Sequence, residues 1–156
     1  MRILSLDVGT KRIGVAYADS NVRIAIPREM IPVDGNENAN IAKMCRLEKA
    51  DVLVSGLPRN NQGEETKQSE VVRSFIAQLE DYFGTLEQKT PLIVFQDETL
   101  TSVVAEAQMA EKHHSLSRKE RDAGILDSEA AALILQDFLE GNQLSKIEEE
   151  INNANR

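Results

Sequence analysis

A chain of 156 residues with 41% hydrophobic side chains is sized for one compact domain with an ordinary core, which excludes wholesale disorder. Its formal net charge of −8 argues against tight, non-specific binding to long duplexes, although −3 of that charge sits in residues 137–156. The single cysteine, Cys45, excludes an internal disulfide framework; no apolar run nears the ~20 residues that span a bilayer and no signal-peptide pattern opens the chain, so the expected location is the cytoplasm, with no membrane partner.

Ile3 to Leu6 is a short apolar run that ends at Asp7 and reads as a buried strand. Gly9 to Arg12 supplies a turn. Ile13 to Ala18 then alternates in size, with Ile13, Val15 and Tyr17 on one side and only Gly14, Ala16 and Ala18 on the other. A face of small side chains lets a helix or a ligand approach the sheet closely. Arg23 to Ile31 is a third strand, which Pro27 assigns to an edge or a bulge. These three segments make an antiparallel meander.

The period then changes. Asn38 to Lys49 reads as a helix with Ile41, Met44 and Cys45 inward, and Val52 to Val54 as a strand stopping at Gly56-Leu57-Pro58. After a polar loop from Arg59 to Glu65, Thr66 caps a helix with Val71, Val72, Phe75, Ile76 and Leu79 inward, ended by Gly84. Leu92 to Phe95 is a further strand, closing at Gln96-Asp97-Glu98. Thr101 or Ser102 caps a helix carrying Val103, Val104, Ala107 and Ala110. A partly basic loop from His113 to Asp122 leads to a last core helix with Leu126, Ala130, Leu133, Ile134 and Phe138. Strands alternating with helices after a meander predict a mixed α/β sheet with helices on both faces. The domain covers residues 1–140; residues 141–156 form a polar tail, either disordered or a short amphipathic helix through Leu144, Ile147 and Ile151.

Three acids stand where chemistry is expected. Asp7 follows a buried run directly, and in sheets of this type ligands collect beyond the carboxyl ends of strands. A desolvated carboxylate there needs a partner, and a hard divalent cation meets that need. Glu98 repeats the arrangement after the Leu92–Phe95 run, with Asp97 one residue closer; pleating alone does not choose between them. Asp127 lies in the first turn of the last core helix, where the helix dipole alone favours an acid. It also continues a stripe through Ala131 and Ile134 that faces inward.

The blocks Asp7-Val8-Gly9-Thr10 with Gly14-Val15-Ala16, Gly56-Leu57-Pro58-Arg59-Asn60 with Gly63, Asp97-Glu98-Thr99-Leu100-Thr101 and Asp127-Ser128-Glu129-Ala130-Ala131 occur in this order over about residues 1–140. Together they resemble the YqgF-type family, whose members are described as pre-16S rRNA nucleases and as Holliday-junction-resolvase-like proteins. The resemblance implies a ribonuclease H-like fold and hydrolysis of phosphodiester bonds. It also implies catalytic and metal-binding roles for Asp7, Glu98 and Asp127, which favours Glu98 over Asp97. The metal expected is Mg2+ or Mn2+, two ions roughly 4 Å apart, with Asp7 bridging them. Lys11 and Arg12 beside the first acid, and Arg59 and Asn60 in the polar loop, are the expected substrate-binding residues. The expected partner is nucleic acid, an RNA precursor or a branched or single-stranded molecule, met by a monomer or weak homodimer. Two positions depart from the family pattern: Thr99 and Ile125 stand where its members carry basic residues, a charge that Arg118, Lys119 and Arg121 can supply from the nearby loop. His113 and His114 read as exposed helix-end residues.

Two other classes remain beside the metal-dependent nuclease. An actin-like kinase or ATPase also opens on an Asp-x-Gly-Thr hairpin, but it encloses nucleotide between two such domains, and this chain has one. A non-catalytic RNA-binding module would keep the fold and lose the chemistry.

Overall fold

The computed structural model describes residues 1–98 and 125–156, with Ile125 to Asp127 described by their backbone. In chain order the elements are β1 (Arg2–Val8), β2 (Arg12–Asp19), β3 (Ile26–Pro32), α1 (Glu37–Glu48), β4 (Val52–Pro58), α2 (Lys67–Gly84), β5 (Leu92–Glu98), α3 (Ile125–Glu140) and α4 (Asn142–Ala154). The strands form one sheet in the order β3-β2-β1-β4-β5. β1 pairs antiparallel with β2 and parallel with β4, and β4 pairs parallel with β5. The carboxyl ends of β1, β4 and β5 therefore lie along one edge of the sheet.

Two cores flank this sheet. Leu4, Leu6, Val15, Leu53 and Leu57 pack on one face against Ile41 and Cys45 of α1 and Val72, Ile76, Leu79 and Phe83 of α2. Ile3, Ala16, Ala18, Val52 and Val54 pack on the other against Ala131, Ile134, Leu135 and Phe138 of α3 and Leu144 and Ile147 of α4. The small side chains of β2 thus serve close helix packing. Residues 142–154, for which the pattern allows tail or helix, form α4, and its two buried residues belong to the same core. Burial pushes the Cys45 thiol up to about 12, so it behaves as a small hydrophobe. Among the described residues no helix is long and apolar enough to cross a membrane.

Local sequence explains most boundaries. β3 is the edge strand that its prolines require, and its pairing with β2 shifts register between Ile13 and Val15. It starts at Ile26 and not at Arg23, because Arg23 is left-handed (φ 61°) in a turn closed on the Asp19 carbonyl. Lys49 ends α1 with φ 52°, its N–H bonding back to the Arg46 carbonyl. Thr66 and Ser69 form a reciprocal capping box at the start of α2. β4 does not stop at Gly56: pairing with β5 carries it through Pro58 opposite Glu98.

Two helix faces differ from the expected ones. Val71 is 48% exposed, and the inward stripe of α2 runs through Val72, Ile76, Leu79 and Phe83. In α3, Ala130 and Leu133 are only partly buried, while Ala131, Ile134, Leu135 and Phe138 are buried. The expected helix around Val103 to Ala110, the caps Thr101 and Ser102, the loop His113 to Asp122, Thr99 and the side chains of Ile125, Leu126 and Asp127 lie outside the described residues.

Candidate active site at the carboxyl edge of the sheet

Strand alternation decides which acids share a face. Ser5 points toward α3: it is buried, and its Oγ donates to the Ala131 carbonyl at 2.7 Å. Asp7, two residues further along β1, projects to the same face and is partly buried. On β5, Val94 packs in the α3 core, so Gln96 and Glu98 project that way as well. Phe95 packs with the opposite core, and Asp97 shares its side. Asp7 and Glu98 therefore occupy one face and one edge, and Asp97 does not join them. Spacing left that choice open; register closes it.

The strand between them makes the approach possible. Gly56 of β4 lies on the same face, and a Cβ there would stand 2.6 Å from Glu98 Oε1 and 2.6 Å from Ile134 Cδ1. The Glu98 carboxylate thus leans over β4, the strand that separates it from β1. On the other flank Asp7 pairs across the hairpin with Gly14, which also adds no side chain. The hairpin is tight: Gly9 N–H donates to the Arg12 carbonyl at 3.0 Å, and a Cβ on Gly9 would lie 2.4 Å from that oxygen.

α3 begins at this edge. Its buried Ser128 accepts from Val15 N–H at 3.5 Å, Ala131 sits at Ser5, and the Leu139 carbonyl accepts from Arg23 Nη1 at 3.5 Å. Because Val15 pairs with Leu6, the helix runs back from the carboxyl end of β1 toward its amino end. The backbone of Asp127, one residue before Ser128, therefore lies at the carboxyl edge over the face that carries Asp7 and Glu98. Among the described residues no group of three acid, histidine or cysteine side chains is placed to hold a metal, and the Asp127 side chain is outside that description. Carboxylate oxygens are the donors that hard cations select. Gly56 and Gly14 add no side chains of their own to the face that carries Asp7 and Glu98.

The expected substrate-binding residues ring the same edge. Lys11 is exposed in the β1–β2 turn, its carbonyl accepting from Val33 N–H, and Arg12 is exposed at the start of β2. Arg59 follows β4 directly. Its Nε donates to Asp97 Oδ1 at 2.8 Å and its Nη1 to the Gly63 carbonyl at 3.1 Å. The Asp97 hydrogen bond raises the Arg59 pKa further, so the guanidinium stays charged. Asn60 is turned inward on its own loop, its Oδ1 accepting from the N–H groups of Gln62 and Glu64. Sequence reasoning missed Gly56 and Ser5 as site-shaping residues. The signal for Ser5 was present, a lone hydroxyl inside the run Ile3-Leu4-Ser5-Leu6.

A family model described as "RuvX: Holliday junction resolvase" matches residues 1–141. The chain belongs to the RuvX family. A protein of Leuconostoc citreum named "Putative pre-16S rRNA nuclease" is 34% identical over 146 residues, covering 91% of this chain and 96% of that protein. One of Streptococcus uberis with the same name is 35% identical over 144 residues, covering 90% and 98%. Among solved structures, the fowlpox virus resolvase in complex with its Holliday junction DNA superposes with a TM-score of 0.50 at 17% identity, over 90% of this chain and all of that one. That likeness concerns the fold, which for this RuvX-family chain is the ribonuclease H-like mixed sheet.

Proposed function

We propose that this RuvX-family chain is a metal-dependent nuclease that hydrolyses phosphodiester bonds in the precursor of ribosomal RNA, acting in the cytoplasm. The observation that carries the reading is convergence. Asp7 of β1 and Glu98 of β5, 91 positions apart in sequence, project from one edge onto one face, with Gly56, which has no side chain, between them and the first turn of α3 above. The names of the relatives support rRNA as the substrate.

In this reading Asp7, Glu98 and Asp127 hold Mg2+ or Mn2+. The chemistry such ions supply when bound is activation of a water and stabilisation of the leaving oxygen. The chain's own residues do the rest. Gly56 lets the Glu98 carboxylate lean across β4, and Ser5 and Ser128 fix α3 against the sheet so that Asp127 joins from its first turn. Lys11 and Arg12 offer positive charge to the phosphate from the hairpin beside Asp7.

The test is cleavage of a short precursor-derived RNA in a titration of Mg2+ or Mn2+. Parent protein cuts only with the ion present, and Asp7→Asn loses at least about a hundredfold in kcat/KM with its fold intact by circular dichroism. Equal cutting by Asp7→Asn overturns the assignment. The family description makes branched DNA the second reading, so a four-way junction belongs in the same assay. Symmetric junction cleavage in place of RNA cleavage selects that reading.

A further inference from the structure

Asp97 stands beside Glu98 in sequence yet faces away from it, and the site described above gives it no part. Its partner is Arg59, through the 2.8 Å bond from Nε. With Nη1 on the Gly63 carbonyl as well, the guanidinium plane is held at two points. Among the described residues its Nη2 donates no hydrogen bond. The loop carrying Gly63 is itself braced. Asn60 accepts from Gln62 and Glu64, Asn60 N–H donates to the Glu64 carbonyl at 2.9 Å, Gly63 takes φ 76°, and Ser69 Oγ ties α2 to the Pro58 carbonyl.

We infer that Asp97 is a positioning residue, which presents the Arg59 guanidinium to a backbone phosphate flanking the point of cleavage. This rests on the proposed nuclease reading and assigns a second contact on the same substrate. An ion pair whose side chains are 28% and 55% exposed contributes little to stability, so stability is a weak reason to immobilise a long side chain this way. Presentation of the remaining Nη2 N–H groups in a fixed direction is a stronger one, since a charged guanidinium donates well to a phosphate oxygen. The placement fits. Glu98 and Asp7 lie on the α3 side of the edge and Arg59 on the α2 side, so a strand crossing the edge meets the acids with one phosphate and Arg59 with another. The tether also partly cancels the long-range field of Arg59. Its grip is therefore directional and short in range.

The experiment combines steady-state kinetics with equilibrium binding of one short single-stranded RNA, using the full chain. Arg59→Gln and Asp97→Ala each raise KM about fivefold or more, with kcat and the magnesium concentration for half-maximal rate unchanged. Asp97→Asn, which keeps an acceptor, has a smaller effect, and Asp97→Ala adds nothing in the Arg59→Gln background. Arg59→Gln also reduces the salt dependence of RNA binding by about one phosphate contact. The inference is overturned if Asp97→Ala shifts the magnesium requirement, which makes it a ligand. It is equally overturned if the melting temperature falls while KM and the salt slope stay put, which makes it a brace. Parent protein that binds the RNA without cutting it defeats the nuclease reading alone, and the salt slope of Arg59→Gln then still decides this one.

Discussion

At the scale of single residues, the least conspicuous position in the site makes the sharpest prediction. Gly56 has no side chain, and the space above it holds one oxygen of Glu98 and the tip of Ile134. Both are ends of flexible side chains, so Gly56→Ala is accommodated at a modest cost, about 1–2 kcal/mol for overpacking. The accommodation moves the Glu98 carboxylate. Gly56→Ala is therefore expected to stay folded, with a small drop in melting temperature, while manganese affinity by calorimetry falls at least about tenfold. Unchanged affinity would mean that Glu98 holds no ion. The sequence marked this glycine only as the head of a family block and not for this role, which depends on the residue beside it on β5. Asp97 and Glu98 pose the same problem. Adjacent acids at a strand end are equivalent until register assigns each a face, and that assignment came from Ser5 on Ala131 and from Val94 in the α3 core.

At the scale of elements, strands were easier to read than helix faces. Ile3-Leu4-Ser5-Leu6 and Leu92 to Phe95 are apolar runs bounded by charge, and both became strands with their acids at the carboxyl ends. α3 was harder, since Ala130-Ala131-Ala132-Leu133-Ile134-Leu135 is apolar all round and fixes no single stripe; packing of α3 between sheet and α4 chose it. Strand ends also depended on partners, as β4 shows by running to Pro58 alongside β5. The opposite, amino edge is tied by Asp51, just before β4. Its carboxylate accepts from Arg2 N–H at 2.9 Å and from Lys89 Nζ at 2.5 Å. Burial alone would raise its pKa, but the Lys89 and Arg2 hydrogen bonds outweigh that and hold it below the usual carboxylate range. A depressed folded-state value contributes stability above the unfolded pKa of about 3.9, lost as pH falls through the folded value. Urea denaturation should accordingly find Asp51→Asn less stable by about 1 kcal/mol or less at pH 7, a gap that shrinks from pH 5 to pH 3. A gap that stays constant with pH would assign it to packing instead of charge.

At the scale of the whole molecule, the sheet order carries the function. Placing β4 between β1 and β5 sets two parallel strands on either side of a glycine, and α3 runs back across them with its first turn at the same edge. The family blocks were legible in the sequence because each falls at such a strand end or helix start. Their convergence was not, since it depends on pairings between residues tens of positions apart. The most direct test is a crystal grown with manganese and its anomalous difference map. A peak is expected within coordination distance of carboxylate oxygens of Asp7 and Glu98, on the face of the sheet that α3 covers. Manganese bound by Asp97 on the opposite face, or no peak between Asp7 and Glu98 at saturating manganese, would contradict it.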